Sequence, residues 1–191
     1  MKRTMLAASM TLVAPTAGAE ILDSVRLGVM AHNIEVTDGK NANKEDGVNI
    51  NGEVRFAALD ALSWIGSPHP YVMGSVNTDG ETSYGGFGVE WDFEFAPGWR
   101  IEPGVGYVIH DGETKNPLPL GSAERTQFGE DNLLLGSEDL FRTSLALTRD
   151  INERWAVQVI FEHLSHGQIL GNGRNQGLDE LGIRAVYRFG D

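Results

Sequence analysis

Three side chains that can together carry out nucleophilic chemistry lie near the C-terminal end of the chain: His163, Ser165 and Asp179. A serine hydroxyl attacks well only when a neighbouring imidazole takes its proton, and that imidazole works best when a carboxylate orients it and stabilises its charge. In such a relay Ser165 is the nucleophile, His163 the base and Asp179 the acid member. Histidine-x-serine is a weak pattern by itself. What raises its weight here is where strand geometry puts the three residues.

The stretch Trp155–Arg188 reads as two antiparallel strands and a loop. Trp155, Val157, Val159 and Phe161 share one parity, against Ala156, Gln158, Ile160 and Glu162, and alternate residues of a strand point to opposite faces. The apolar parity continues into His163 and Ser165. In the returning strand Phe189, Tyr187, Ala185, Ile183 and Leu181 share a parity that runs back to Asp179, while Glu180 takes the other face. Pairing Ser165 with Gly177 sets His163 opposite Asp179, with Cβ atoms ~4.5–5.5 Å apart.

The same alternation recurs upstream. Val25–Ala31, Val48–Phe56, Tyr71–Asn77, Phe87–Phe95, Trp99–Ile109 and Phe141–Leu147 each read as a strand, the third with an ambiguous apolar face. With the C-terminal pair they make eight. The predicted fold is all-β: an eight-stranded antiparallel transmembrane β-barrel with its apolar parity toward lipid. Closure also removes exposed edges. The polar parity carries Arg26, Arg55, Arg100, Arg142, Arg184 and Arg188 against Glu53, Glu90, Asp92, Glu94, Glu102, Glu162 and Glu180, a near balance that predicts a lumen filled by ion pairs. Residues 37–46 and 111–138 are long polar connections, whereas Ala96–Gly98 and Arg149–Asn152 are tight turns, the asymmetry expected between outer loops and periplasmic turns. Residues 57–69 are too long for a minimal turn and are expected to hold a short helical turn. Phe56, Phe95, Trp99, Trp155 and Phe189 gather at the short-turn end as an aromatic girdle. A soluble exported barrel with an inward apolar face is the competing architecture; it would leave many glycines and small residues outside.

Composition agrees with a single exported domain. The chain has 191 residues, no cysteine and a net charge of −12. With only 15 Lys and Arg, it lacks the basic surface that nucleic acid requires. Residues 1–19 read as a signal peptide: Lys2 and Arg3, an apolar run Met5–Val13, then Ala17-Gly18-Ala19 as cleavage site. Its removal would leave a barrel over residues 20–191 with charge −14, since the leader holds two basic residues and no acidic ones.

Taken singly, His163, Ser165 and Asp179 could simply mark where lipid ends and headgroups begin. Together with their surroundings they resemble a known family. His163-Leu164-Ser165 followed by Asn175-Gln176-Gly177-Leu178-Asp179 is similar to the paired motifs of the PagL-type lipid A 3-O-deacylases, H-x-S-N and N-x-G-(I/L)-(D/E). The resemblance implies an outer-membrane serine esterase that hydrolyses the 3-O-linked acyl chain of lipid A without a cofactor or metal. It implies Ser165, His163 and Asp179 as the relay, and Asn175 with a backbone N–H near Gly167 as the oxyanion donors. The sequence departs from the family pattern at His166, which stands where asparagine is usual, and at Asp179, where glutamate is common. Lipid A and the membrane are the implied partners, nucleic acid is not one, and a homodimer is left open. Two alternatives stand beside this reading: a non-catalytic small barrel acting as adhesin or structural protein, and an esterase acting on phospholipids.

Other features carry less. His32 and His110 have lumen parity and His69 lies in a Pro-rich connection, without metal-site spacing. Gly171-Asn172-Gly173 lacks the following helix of a phosphate-binding loop. Asp38, Glu45, Asp46, Asp111 and Glu113 are read as solvated loop acids before cation ligands.

Overall fold

A computed structural model describes residues 21–34, 36, 41, 44–171 and 173–189. The leader expected over residues 1–19 lies outside them, as does Asp38. Nine strand segments follow one another: β1 (Leu22–Ala31), β2 (Val48–Phe56), β3 (His69–Asn77), β4 (Tyr84–Glu90), β5 (Phe93–Ala96), β6 (Trp99–His110), β7 (Asp139–Asp150), β8 (Trp155–Ser165) and β9 (Leu178–Arg188). Every pairing is antiparallel, β1 pairs with β9 and β4 pairs with β6, so eight long strands close into a ring. β5 is a four-residue extension paired only with β6.

That extension corrects one detail of the sequence reading. The alternation predicts one strand over Phe87–Phe95, but it breaks at Trp91 and Asp92, opposite Pro103 of β6. Proline has no N–H to offer the ladder. Trp91 instead donates its indole N–H to Ile65 O at 2.8 Å, at the end of a 3-10 turn spanning Asp60–Ile65. This is the helical turn expected between residues 57 and 69. Beyond the break Glu94 is exposed, not in the lumen. β3 also resolves its ambiguous face: Tyr71, Met73, Ser75 and Asn77 point inward and Val76 points out.

Elsewhere the parity holds. Leu27, Val29, Phe87, Val105, Leu145, Val159 and Ile183 are exposed on the outer wall, an apolar belt that only lipid satisfies. Trp155, Tyr187 and Phe189 stack edge to face at the short-turn end, with centroids 4.9 and 5.4 Å apart. Inside, buried arginines and glutamates interlock: Arg26 reaches Glu53 at 2.9 Å, Glu90 at 2.6 Å and Glu102 at 2.7 Å, Arg184 reaches Glu53 at 3.1 Å, and Arg142 reaches Glu162 at 2.5 Å. Each charge has opposite charges beside it, the condition under which burial of ions is tolerable. The inner wall must also leave room. A Cβ at Gly88 or Gly106 would run into the hydroxyl of Tyr71, whose ring lies under the Arg142 guanidinium at 4.9 Å.

The outer half of the lumen is closed differently. The connection 111–138 holds a helix, α1 (Ala123–Asp131), and then turns Leu133, Leu134 and Leu135 inward. Leu133 and Leu135 pack with Tyr71, Tyr84, Val108, Leu140, Leu164 and Leu178 in one buried cluster. Burying a leucine is worth ~1.5–3 kcal/mol, so this run pins the long loop into the barrel mouth. Glu45 helps from the first loop, accepting from Leu133 N at 3.0 Å and Thr82 N at 3.3 Å.

Candidate active site

The outward placement of His163 and Asp179 begins with their inward neighbours. Glu162 is held by Arg142 and by Tyr84 at 3.0 Å, and Glu180 by His32, Asn49 and Tyr84, each at 2.8 Å. Both glutamates are fully buried. Alternation along a strand then forces His163 and Asp179 to the outer face, and slipping the register by one residue would drag the glutamates into lipid. The ladder pairs Glu162 with Glu180 and His163 with Asp179, the register expected from sequence.

His163 Nδ1 lies 2.6 Å from Asp179 Oδ1. A carboxylate accepts, so Nδ1 carries the proton and Nε2 is left as the basic nitrogen. The Asp179 side chain is 6% exposed and that of His163 29%, so the carboxylate is covered and the ring reaches the surface. Gly177 makes this possible: a Cβ there would stand 2.6 Å from Cε1 of His163. Asp179 is further fixed through its carbonyl, which accepts from Ile34 N at 2.9 Å. Ser165 occupies the next outward position of β8, paired across the ladder with Phe141.

The chain then makes a tight turn. Ile169 N and Leu170 N both donate to His166 O, at 3.0 and 3.1 Å, and Gly167 and Gln168 take left-handed φ values of 59° and 57°. Glycine adopts that conformation at little cost. His166 is fully buried. Its Nδ1 accepts from Gln168 N at 3.1 Å and its Nε2 donates to Arg174 O at 3.2 Å. Its backbone N–H donates to Asn175 Oδ1 at 3.3 Å. The ring of the residue that departs from the family pattern is therefore a latch that ties Ser165's end of β8 to Arg174, while the backbone N–H at the same position reaches Asn175. With Oδ1 engaged, Asn175 keeps its Nδ2 hydrogens available, and the next backbone amide after His166 is that of Gly167.

Along the wall toward the opposite rim, beyond His163 and Asp179, lies an apolar groove of about 280 Å³. Phe161 and Leu181, paired with each other, are the next outward residues after His163 and Asp179, and Leu145, Leu147, Val159 and Ile101 continue the groove. The sequence names the His163–Asp179 pair but not this depression, the leucine plug, the role of Gly177 or the latch at His166. The tri-leucine run within a polar loop was the one local signal for the plug. The other histidines are structural: His32 bridges Glu180 and Glu45, His69 Nδ1 donates to Phe56 O at 3.0 Å, and His110 Nε2 donates to Ser137 O at 2.7 Å.

A closed eight-stranded barrel with an apolar outer belt, a salt-bridged lumen and a polar pair turned outward at one rim defines the class of outer-membrane β-barrels. Comparison with known proteins sharpens this. The sequence matches the family described as lipid A 3-O-deacylase (PagL) over residues 51–188, and the chain belongs to that family of hydrolases. Among solved structures it is similar to the crystal structure of the outer membrane enzyme PagL, at 16% identity over 87% of this chain and 99% of that one, with a TM-score of 0.59. It is also similar to the solution NMR structure of the de novo designed TMB2.3, at 10% identity over 91% of this chain and 100% of that one, with a TM-score of 0.48. A third likeness is to the backbone structure of the Yersinia pestis outer membrane protein Ail, at 11% identity over 89% and 100% of the two chains, with a TM-score of 0.45. No curated protein matches.

Proposed function

We propose that this chain hydrolyses the 3-O-linked acyl ester of lipid A through Ser165, His163 and Asp179. Ser165 Oγ attacks the ester carbonyl carbon as its proton passes to Nε2 of His163. Asp179 holds the ring and offsets its charge. The tetrahedral oxyanion takes hydrogen bonds from Asn175 Nδ2 and the Gly167 N–H, each such donor lowering a barrier of this kind by ~3–4 kcal/mol. Collapse returns the proton to the departing sugar oxygen and leaves an acyl-serine. Water, deprotonated by the same histidine, then releases the fatty acid.

The observation that carries this reading is the 2.6 Å His163–Asp179 pair on the lipid side of the wall, directly above an apolar groove. Ester bonds of an outer-leaflet lipid lie just beneath the headgroups. A relay at this depth meets such a bond with its acyl chain still in an apolar setting, so the lipid need not be drawn into water.

Purified protein incubated with lipopolysaccharide should release a 3-hydroxy fatty acid, and Ser165→Ala should abolish that release while the barrel stays folded. Undiminished release by Ser165→Ala would remove the mechanism. Release of fatty acid from phospholipid in place of lipid A would move the substrate, not the relay.

A further inference from the structure

The basic residues of this acidic chain are sharply segregated. Arg26, Arg55, Arg100, Arg142, Arg184 and Arg188 lie on inward positions, and Arg149 and Arg154 sit at the short-turn end. Apart from Lys40, which lies outside the described residues, the outer loops hold four cations: Lys44, Lys115, Arg125 and Arg174. They converge. Lys115, Arg125 and Arg174 line one open cleft of about 920 Å³ between α1 and the loop after β8. Lys44 stands behind it, donating to the carbonyl of Gly129 on the cleft wall at 2.5 Å. Its ammonium is pushed below the usual lysine range by burial and then by the positive charge of Arg174, against the pull of Glu130 and Glu45.

Among the described residues none of the four is ion-paired with a carboxylate, although Glu130 and Glu138 also line the cleft. Arg125 spends one guanidinium nitrogen on the carbonyls of Asn116 and Leu118, which hold it in place without neutralising it. In a protein of net charge −12, a concavity lined by three cations against two acids keeps an excess of positive charge, which attracts an anion. The cleft is also tied to the relay. Arg174 directly precedes Asn175, and its carbonyl receives the His166 bond that latches the end of β8.

We propose that this cleft is a phosphate-binding subsite that receives an anionic group of the substrate headgroup while the ester sits at Ser165. The proposal rests on the esterase reading above. Guanidinium groups bind phosphate oxygens through paired, charge-assisted hydrogen bonds, and an exposed ammonium adds a mobile point charge. A polar anionic group in the cleft and an acyl chain in the groove would bracket the scissile ester from both sides.

Binding separates this idea from catalysis. Ser165→Ala protein in neutral detergent micelles is titrated calorimetrically with bisphosphorylated lipid A, with the same lipid after phosphatase treatment, and with inorganic phosphate. The phosphorylated lipid should bind about tenfold more tightly than the dephosphorylated one, and adding Lys115→Gln and Arg174→Gln should reduce that preference to within about twofold. Saturable binding of inorganic phosphate that the same two substitutions abolish, with the two lipids equal, would assign the cleft to free phosphate. Equal lipid affinities without phosphate binding, or a preference that survives both substitutions, would overturn the proposal. Because turnover is not read, neither outcome bears on the Ser165 mechanism.

Discussion

Asp179 and Glu180 are neighbours in the chain and carry the same functional group, yet they belong to different worlds. Glu180 faces the lumen, where His32, Asn49 and Tyr84 saturate it. Asp179 faces the wall and holds a ring that is still 29% exposed. The lumen spends its charges on one another and so becomes rigid. The outer wall leaves one nitrogen of His163 uncommitted, and that is the condition for chemistry. The difference teaches that the inert network is what aims the reactive one: anchoring Glu162 and Glu180 inward turns His163 and Asp179 outward.

This contrast can be broken from the lumen side first. Arg142→Ala leaves Glu162 buried without its guanidinium and removes the cation over Tyr71, and breaking a buried pair in this way costs about 3–5 kcal/mol. Urea unfolding of the refolded barrel should show that loss, while the protein that remains folded keeps its esterase activity. A loss of activity with full stability would mean that Arg142 serves the chemistry directly and not only the fold that orients His163.

A pH titration sharpens the same point at the barrel mouth. Burial disfavours a charged His32, but its hydrogen bonds to Glu180 and Glu45 outweigh that and raise its pKa from 6.5 to about 9. A raised pKa means that the folded state holds the proton more tightly, so the gain is complete below about pH 6.5 and vanishes as pH rises through about 9. The shift corresponds to about 3 kcal/mol. Denaturation midpoints measured from pH 6 to pH 10 should fall across that window, and His32→Gln should flatten the fall.

The smallest expected effect is on the wall itself. Gly177→Ala places a methyl 2.6 Å from Cε1 of His163, so the ring must swing away from Asp179. Activity should drop about tenfold to a hundredfold through lost orientation, with thermal stability nearly unchanged. Full activity would show that the ring is not held as described.

Much of this is legible in the sequence, for a physical reason. Side-chain period and register are locked together in a half-buried sheet, so Trp155–Phe161 and Leu181–Phe189 determined both the faces and the His163–Asp179 pairing. The barrel followed from repeating that pattern. What escaped was non-local. The break at Trp91 depends on Pro103 across the ladder and on a carbonyl of the 3-10 turn. Leu133–Leu135 lie in a loop that sequence marks as polar, and the apolar cluster that draws them inward is contributed by six different strands. The latch at His166 needs Arg174 and Asn175 brought back by the loop.

The comparison of the two neighbouring carboxyls is also its most direct test. Lipid A from cells producing Asp179→Asn or Glu180→Gln protein, at matched levels of folded barrel, is compared by mass spectrometry. Glu180→Gln should still strip the 3-O-acyl chain, and Asp179→Asn should leave most lipid A intact, a loss of about 10³–10⁴-fold in rate. Lipid A that is deacylated by Asp179→Asn and untouched by Glu180→Gln would contradict the account, because the working carboxylate would then be on the inner face.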